Sequence, residues 1–229
     1  MAISKGSVLL ENCYRPPDGT YTRAGDDVSQ YWRNWGLAIY RTAYGPATDA
    51  QWRTLVDKIN AQAVDEIEGY AEGEEDVATK LKSLFVLDAR SDPALLADKT
   101  MDELREMHKR GREDLPEPIR NASNQRAFLL ADAEVLEGVD RDPYFWVKCV
   151  EVDYVERPPG RGRAAFAAAP WFGWMRMTTH SVVDLCADMP FRELASIGSP
   201  SRVLPDGQVH VYNGELNGMP LTDEMCSGK

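Results

Sequence analysis

"YFWVKCVEVDYV", residues 144–155, is the longest β-type run in the chain, and the nature of its two faces decides the fold. Side chains alternate across a strand, so the run sorts by parity. One face carries Phe145, Val147 and Cys149, then Glu151 and Asp153. The other carries Tyr144, Trp146, Lys148, Val150, Val152 and Tyr154. Neither face is polar enough to stand in water, because each large apolar side chain left exposed forfeits about 1.5–3 kcal/mol. The second face should therefore be covered by the N-terminal extension, the C-terminal segment, a second copy of the chain in a homodimer, or a bound molecule. "ERPPGRGR" (156–163) ends the run. No crossover helix follows, as a parallel neighbour would require.

Towards the N-terminus, "LAIYRTAY" (37–44) is a second strand, ended by Gly45-Pro46. "TDAQW" (48–52) has the spacing of a capping box, Thr48 with Gln51. Trp52, Leu55, Val56, Ile59, Ala63 and Ile67 then recur at helical spacing, which predicts a helix over 49–68 with one face on a core. "EGEEDVATK" (72–80) is expected to be a solvated acidic connector. "SLFVLDAR" (83–90) is a strand, closed by Ser91-Asp92-Pro93 and a short helix with Leu95 and Leu96. A second capping box, Thr100 with Glu103, starts a helix running to Gly111, on which His108 is expected to face solvent. After a loop (113–125) come the strand "RAFLLAD" (126–132) and the amphipathic turn "AEVLEGV" (133–139). Beyond the longest strand, "MTTHSVVDLCADM" (177–189) is a helix candidate stopped by Pro190, and "VLPDGQVHVY" (203–212) is a hairpin turning at Pro205-Asp206-Gly207.

This order of elements predicts an α+β fold of the ferredoxin-like sandwich type, a mainly antiparallel sheet with helices on one face. A doubly wound α/β sheet is the alternative. Residues 1–34 form an N-terminal extension anchored by Tyr31 and Trp32, 35–190 the core domain, and 191–229 a C-terminal segment with a hairpin packing on it.

A net charge of −11 with scattered basic residues repels a phosphate backbone and an anionic membrane surface, so no nucleic acid and no membrane are expected as partners. No apolar run approaches the ~20 residues that span a bilayer, and no signal-peptide pattern precedes the first strand. A cytoplasmic location is the expectation. The four cysteines are far apart and form no C-x-x-C pair; Cys149 and Cys186 lie on apolar faces and are expected to be buried, reduced hydrophobes.

Chemistry has few places to sit. Helical spacing over 176–189 would align Arg176, His180 and Asp184, with the carboxylate orienting the imidazole as in a general base. The bland alternative is a solvated charged face. At the end of the 37–44 strand, Arg41 and Tyr44 stand beside the capped helix start, an anion-friendly corner, unless Arg41 simply pairs with Asp88. No P-loop, H-E-x-x-H, G-x-S-x-G or EF-hand signature occurs, and "GRGRAA" (160–165) lacks the strand-turn-helix context of a dinucleotide fingerprint. The site implied is therefore cofactor-independent and holds no metal.

The stretches "WGLAIYRTAYGPATDAQW" (35–52), "FVLDAR", "LLADAEVL", "WVKCV" and "GWMRMTTHSVVDL" resemble a large group of filamentous-fungal proteins, over residues 32–190. The resemblance implies an intracellular fungal protein and, through neighbouring genes, small-molecule secondary metabolism. It supplies no catalytic residues. The expected function is a cofactor-independent cyclase or isomerase acting on an apolar, partly anionic small molecule. His180, Asp184, Arg41 and Tyr44 would be catalytic; Tyr40, Trp146, Lys148, Tyr144, Arg176 and Asp88 would bind substrate. The rival expectation is a non-catalytic ligand-binding or protein-interaction module using the same aromatic sheet face.

Overall fold

A computed structural model of the chain describes residues 4–18, 20–23, 25–112, 124–141, 146–156, 171–197 and 211–214. The strand β1 (Trp35–Arg41) is buried along all seven residues, so both of its faces are covered. It sits between two parallel neighbours, β2 (Phe85–Arg90) and β3 (Ala127–Ala131). β4 (Trp146–Glu151) and β5 (Trp174–Thr178) extend the sheet in antiparallel fashion, and β6 (Val211–Tyr212) pairs parallel with β5. The sheet order is β2-β1-β3-β4-β5-β6.

Parallel pairs need crossovers, and these carry the helices onto both faces. The chain leaves β1 through α2 (Thr48–Tyr70) and α3 (Glu75–Leu84) to reach β2. It returns past β1 to β3 through α4 (Pro93–Leu96) and α5 (Met101–Arg110). Crossovers of one hand that step first one way along a sheet and then the other must lie on opposite faces. The buried clusters agree. On one face Leu37, Ile39, Leu129, Val147 and Cys149 pack with Leu55, Ile59 and Ile67 of α2. On the other, Ala38, Tyr40, Phe128, Leu130, Val150 and Val152 pack with Leu96 and Leu104 of α4 and α5.

The fold is thus mixed α/β, with eight α-helices and a six-stranded mixed sheet among the described residues. The expected ferredoxin-like arrangement is corrected on two counts: β2-β1-β3 is parallel, and helices cover both faces. Those helices, absent from the expected covers, shield the second face over β1, β3 and the Val150–Val152 end of the longest run. Trp146 and Tyr154 are half-buried.

The stripe of α2 is as predicted, with Trp52, Leu55, Ile59, Ala63 and Ile67 buried and Val56 at its margin. Its capping box does not form: Ala47, in the left-handed region at φ 72°, is the N-cap, and Thr48 bonds back to Gly45. The capping box of α5 is complete, with Glu103 N–H donating to Thr100 Oγ1 and Thr100 N–H to Glu103. The "connector" at 72–80 is mostly helix α3, whose Glu75 and Asp76 favour its N-terminal turn and whose Leu81 and Leu84 are buried. The extension contains α1 (Lys5–Cys13), which adds Leu9 and Cys13 to the main core.

The remaining helices are α6 (Ala133–Arg141), α7 (Val182–Asp188) and α8 (Leu194–Ile197). Cys13, Cys149 and Cys186 are buried and form no disulfide among the described residues, and burial pushes the pKa of Cys13 up to about 12. The hairpin at 203–212 lies outside the described residues except for Val211 and Tyr212; Tyr144, "GRGRAA" and Cys226 also lie outside them. No described helix is long and apolar enough to cross a membrane.

Candidate functional site

One row of the sheet organises the polar chemistry. Arg90, Tyr40, Leu130, Lys148 and Arg176 are successive register partners across β2, β1, β3, β4 and β5, and all point to the face that α4 and α5 partly cover. Helices close the row over β1 and β3, where Tyr40 and Leu130 are buried. Over β4 and β5 it is half-open.

In the open half, Lys148 is the centre. Its side chain is 8 % exposed, with Nζ 2.5 Å from Asp132 Oδ2 and 2.6 Å from Glu134 Oε2. Asp132 follows the end of β3 and its other oxygen caps α6 by accepting from Val135 N–H at 3.2 Å. Glu134, in the first turn of α6, also binds the Arg176 guanidinium. Each cation lies against an indole. Arg176 stacks on Trp146 at 4.5 Å and Lys148 Nζ is 5.5 Å from the Trp174 ring. Burial works to raise the Glu134 pKa, but the Lys148 hydrogen bond and the charges of Lys148 and Arg176 outweigh it and hold the carboxyl below its usual range. The arrangement places a polarising cation and an ionised, half-exposed carboxylate between two aromatic surfaces. Proton abstraction and stabilisation of the resulting anion are within its chemical reach.

Lys148, Arg176 and Trp146 are expected site residues that the structure brings together. Asp132, Glu134 and Trp174 complete the group and were not expected. Their signals are present in the sequence: Trp174, Arg176 and Thr178 alternate with Met175 and Met177 at the period of a strand, and Asp132 stands at a strand-to-helix junction. Tyr40 shares the row but is buried under α5. Asp88 is at the far edge, paired with Arg90 at 2.6 Å rather than with Arg41.

Arg41 is 4 % exposed and turned inward on its own corner. It donates to Ala43 O at 3.0 Å, Ser91 Oγ at 3.3 Å, Thr48 Oγ1 at 2.7 Å and Asp49 Oδ1 at 2.6 Å. Tyr44 stacks on it at 4.5 Å and donates its hydroxyl to Arg41 O. The corner latches the start of α2 to the end of β1.

The expected Arg176-His180-Asp184 ladder does not form, because Arg176 is in a strand, His180 is in a 3₁₀ turn (Thr179–Ser181), and the helix starts only at Val182. His180 Nδ1 lies 3.0 Å from the hydroxyl of Thr178, the register partner of Trp146. Burial lowers the His180 pKa against the pull of Asp184, so the ring is neutral near pH 7. Asp184 instead accepts the Tyr70 hydroxyl.

His108 is the residue most misread from sequence. It is 2 % exposed, not solvent-facing, with Nδ1 3.0 Å from the Tyr40 hydroxyl and its ring beside Phe128. Burial, then the charges of Arg112 and Arg90, drive its pKa down to about 4, while the Gln125 backbone and Asp153 pull the other way. Among the described residues no group of three or more His, Cys, Asp or Glu is placed to hold a metal ion. Set against known family models, curated proteins and solved structures, the chain matches none of them.

Proposed function

We propose that the protein binds a small organic molecule over the Trp146–Trp174 face and rearranges it by cofactor-independent proton transfer, as an isomerase or cyclase does. One observation carries the reading: a nearly buried lysine, two carboxylates and an arginine converge between two half-buried tryptophans, beside the carboxyl end of β3. In open sheets ligands bind outside the carboxyl ends of the strands where the chain reverses its direction of winding; here that point lies between β1 and β3, and Asp132, which follows β3, is the member of the cluster that borders it. Glu134 accepts a proton from the substrate, Lys148 and Arg176 hold the negative charge that develops, and the proton returns at another atom. His180, anchored through Thr178 beside Trp146, is the second group able to carry it. The ion pairs that Lys148 and Arg176 already make with Asp132 and Glu134 support a second reading, a face that binds without catalysing.

Incubation of the protein with metabolite extracts, followed by mass spectrometry of bound and converted species, tests both. Conversion by the natural chain that is lost in Glu134→Gln supports the enzyme. Binding without conversion supports the binder. If neither a bound nor a converted species depends on this face, both readings fall.

A further inference from the structure

Glu134 stands where the carboxylate of a ligand would stand. Its two oxygens reach two cations, Lys148 and Arg176, that are register partners on adjacent strands. The sheet therefore sets the spacing of the pair, and an incoming carboxylate meets two donors already in place, in the bidentate geometry that carboxylates favour. The half-buried indoles of Trp146 and Trp174 flank the seat, each with one of the two cations over its ring, and are the aromatic neighbours that a ring attached to that carboxylate would meet.

The present occupant is replaceable. Glu134 is 47 % exposed and sits in the first turn of a helix, where a negative charge remains favoured even when it swings into water. Lys148 keeps Asp132 when Glu134 leaves. Arg176 does not have that reserve: Glu134 is its carboxylate partner among the described residues, and its buried Nε has no hydrogen-bond partner. Exchange of one carboxylate for another preserves the charge balance of the cluster, whereas an amine would meet two cations.

We propose that the ligand of this face is a planar aromatic carboxylate, which displaces the Glu134 carboxylate from between Lys148 and Arg176 and lays its ring against Trp146 or Trp174. The inference rests on the reading that this face binds the protein's small molecule. It also gives Glu134 its moment of action: the displaced side chain loses both cationic partners and is left as a stronger base beside the newly bound molecule.

The probe is 4-(trifluoromethyl)benzoate, followed by fluorine NMR, with 4-(trifluoromethyl)benzamide as its uncharged counterpart. Removing the internal competitor in Glu134→Gln should tighten benzoate binding at least tenfold over the natural chain, with no gain for the benzamide. Glu134→Ala should show the same gain, and adding Arg176→Gln to either variant should abolish it. Near-ultraviolet circular dichroism of the tryptophans checks that each variant is folded. Equal affinity of the natural chain and both Glu134 variants for benzoate would overturn the proposal, as would an equal gain for the benzamide. If benzoate binding does not respond while a species from the extracts still requires this face, the ligand class alone is wrong. If neither is seen, the reading of the face falls with it.

Discussion

Arg41 and Lys148 are both nearly buried cations, yet their surroundings assign them different work. The guanidinium of Arg41 is spent on Ala43, Ser91, Thr48 and Asp49, all of its own corner. Replacing it with Met leaves those acceptors and the start of α2 without their donor. We expect Arg41→Met to cost about 2–3 kcal/mol in urea unfolding while leaving benzoate binding by the Glu134→Gln protein unchanged. His108 makes a second residue-level prediction. Its pKa in the fold is about 4, below the ~6.5 of an unfolded imidazole. Its contribution is therefore fully present above about pH 6.5 and is lost as the pH falls towards about 4, where the unfolded chain takes the proton and the native one does not. The loss is on the order of 3 kcal/mol. His108→Phe should flatten the stability profile in that window, measured by denaturation at a series of pH values.

At the scale of elements, the β1–β2 pair depends on Gly36. Its φ is +126°, and a Cβ there would lie 2.1 Å from the carbonyl oxygen of Val86. No side chain can yield, because the clash is with the neighbouring backbone. Gly36→Ala should cost more than about 3 kcal/mol or prevent soluble expression. Thr100→Ala, by contrast, removes only the cap of α5 and should cost about 1 kcal/mol. Such local devices were legible in the sequence: the α5 box and the α2 stripe depend on residues three or four apart. The α2 box was not, although its residues fit, because Thr48 is held by Gly45 and Arg41 and Ala47 takes the cap. Arg176, Met177 and Thr178, expected at the start of a helix over 176–189, belong to a strand because they pair with β4.

At the scale of the whole molecule, a cluster of acids and phenols joins α1, α2, α7 and β6. Asp184 accepts from Tyr70, Lys5 lies over the Tyr70 ring at 5.0 Å, and Tyr212 reaches Asp188 at 3.5 Å. Burial raises the pKa of Asp184, of Asp188 and of Glu66, and the charge of Asp184 adds to the last two. The sign is opposite to that of His108. Stability from these groups is present below the unfolded carboxylate range and is lost as the pH rises through their folded values. Asp184→Asn keeps an acceptor for Tyr70 and removes a repelling charge. We expect it to stabilise the protein at pH 7 by about 0.5 kcal/mol, a gain that solvent screening keeps small and that vanishes near pH 4. Thermal unfolding at the two pH values measures it.

The sequence by itself determined the strands and helices that local period and capping chemistry specify, the two apolar faces of β4, and the placing of Trp146 and Lys148 on one of them. Only the tertiary structure decided that β1 pairs in parallel with β2 and β3, that α5 crosses the second face and buries His108, and that Glu134 and Arg176 meet at Lys148. Side-chain alternation tells which residues share a face of one strand. Which strands become neighbours depends on burying both faces of the assembled sheet at once, and no short window of residues contains that requirement.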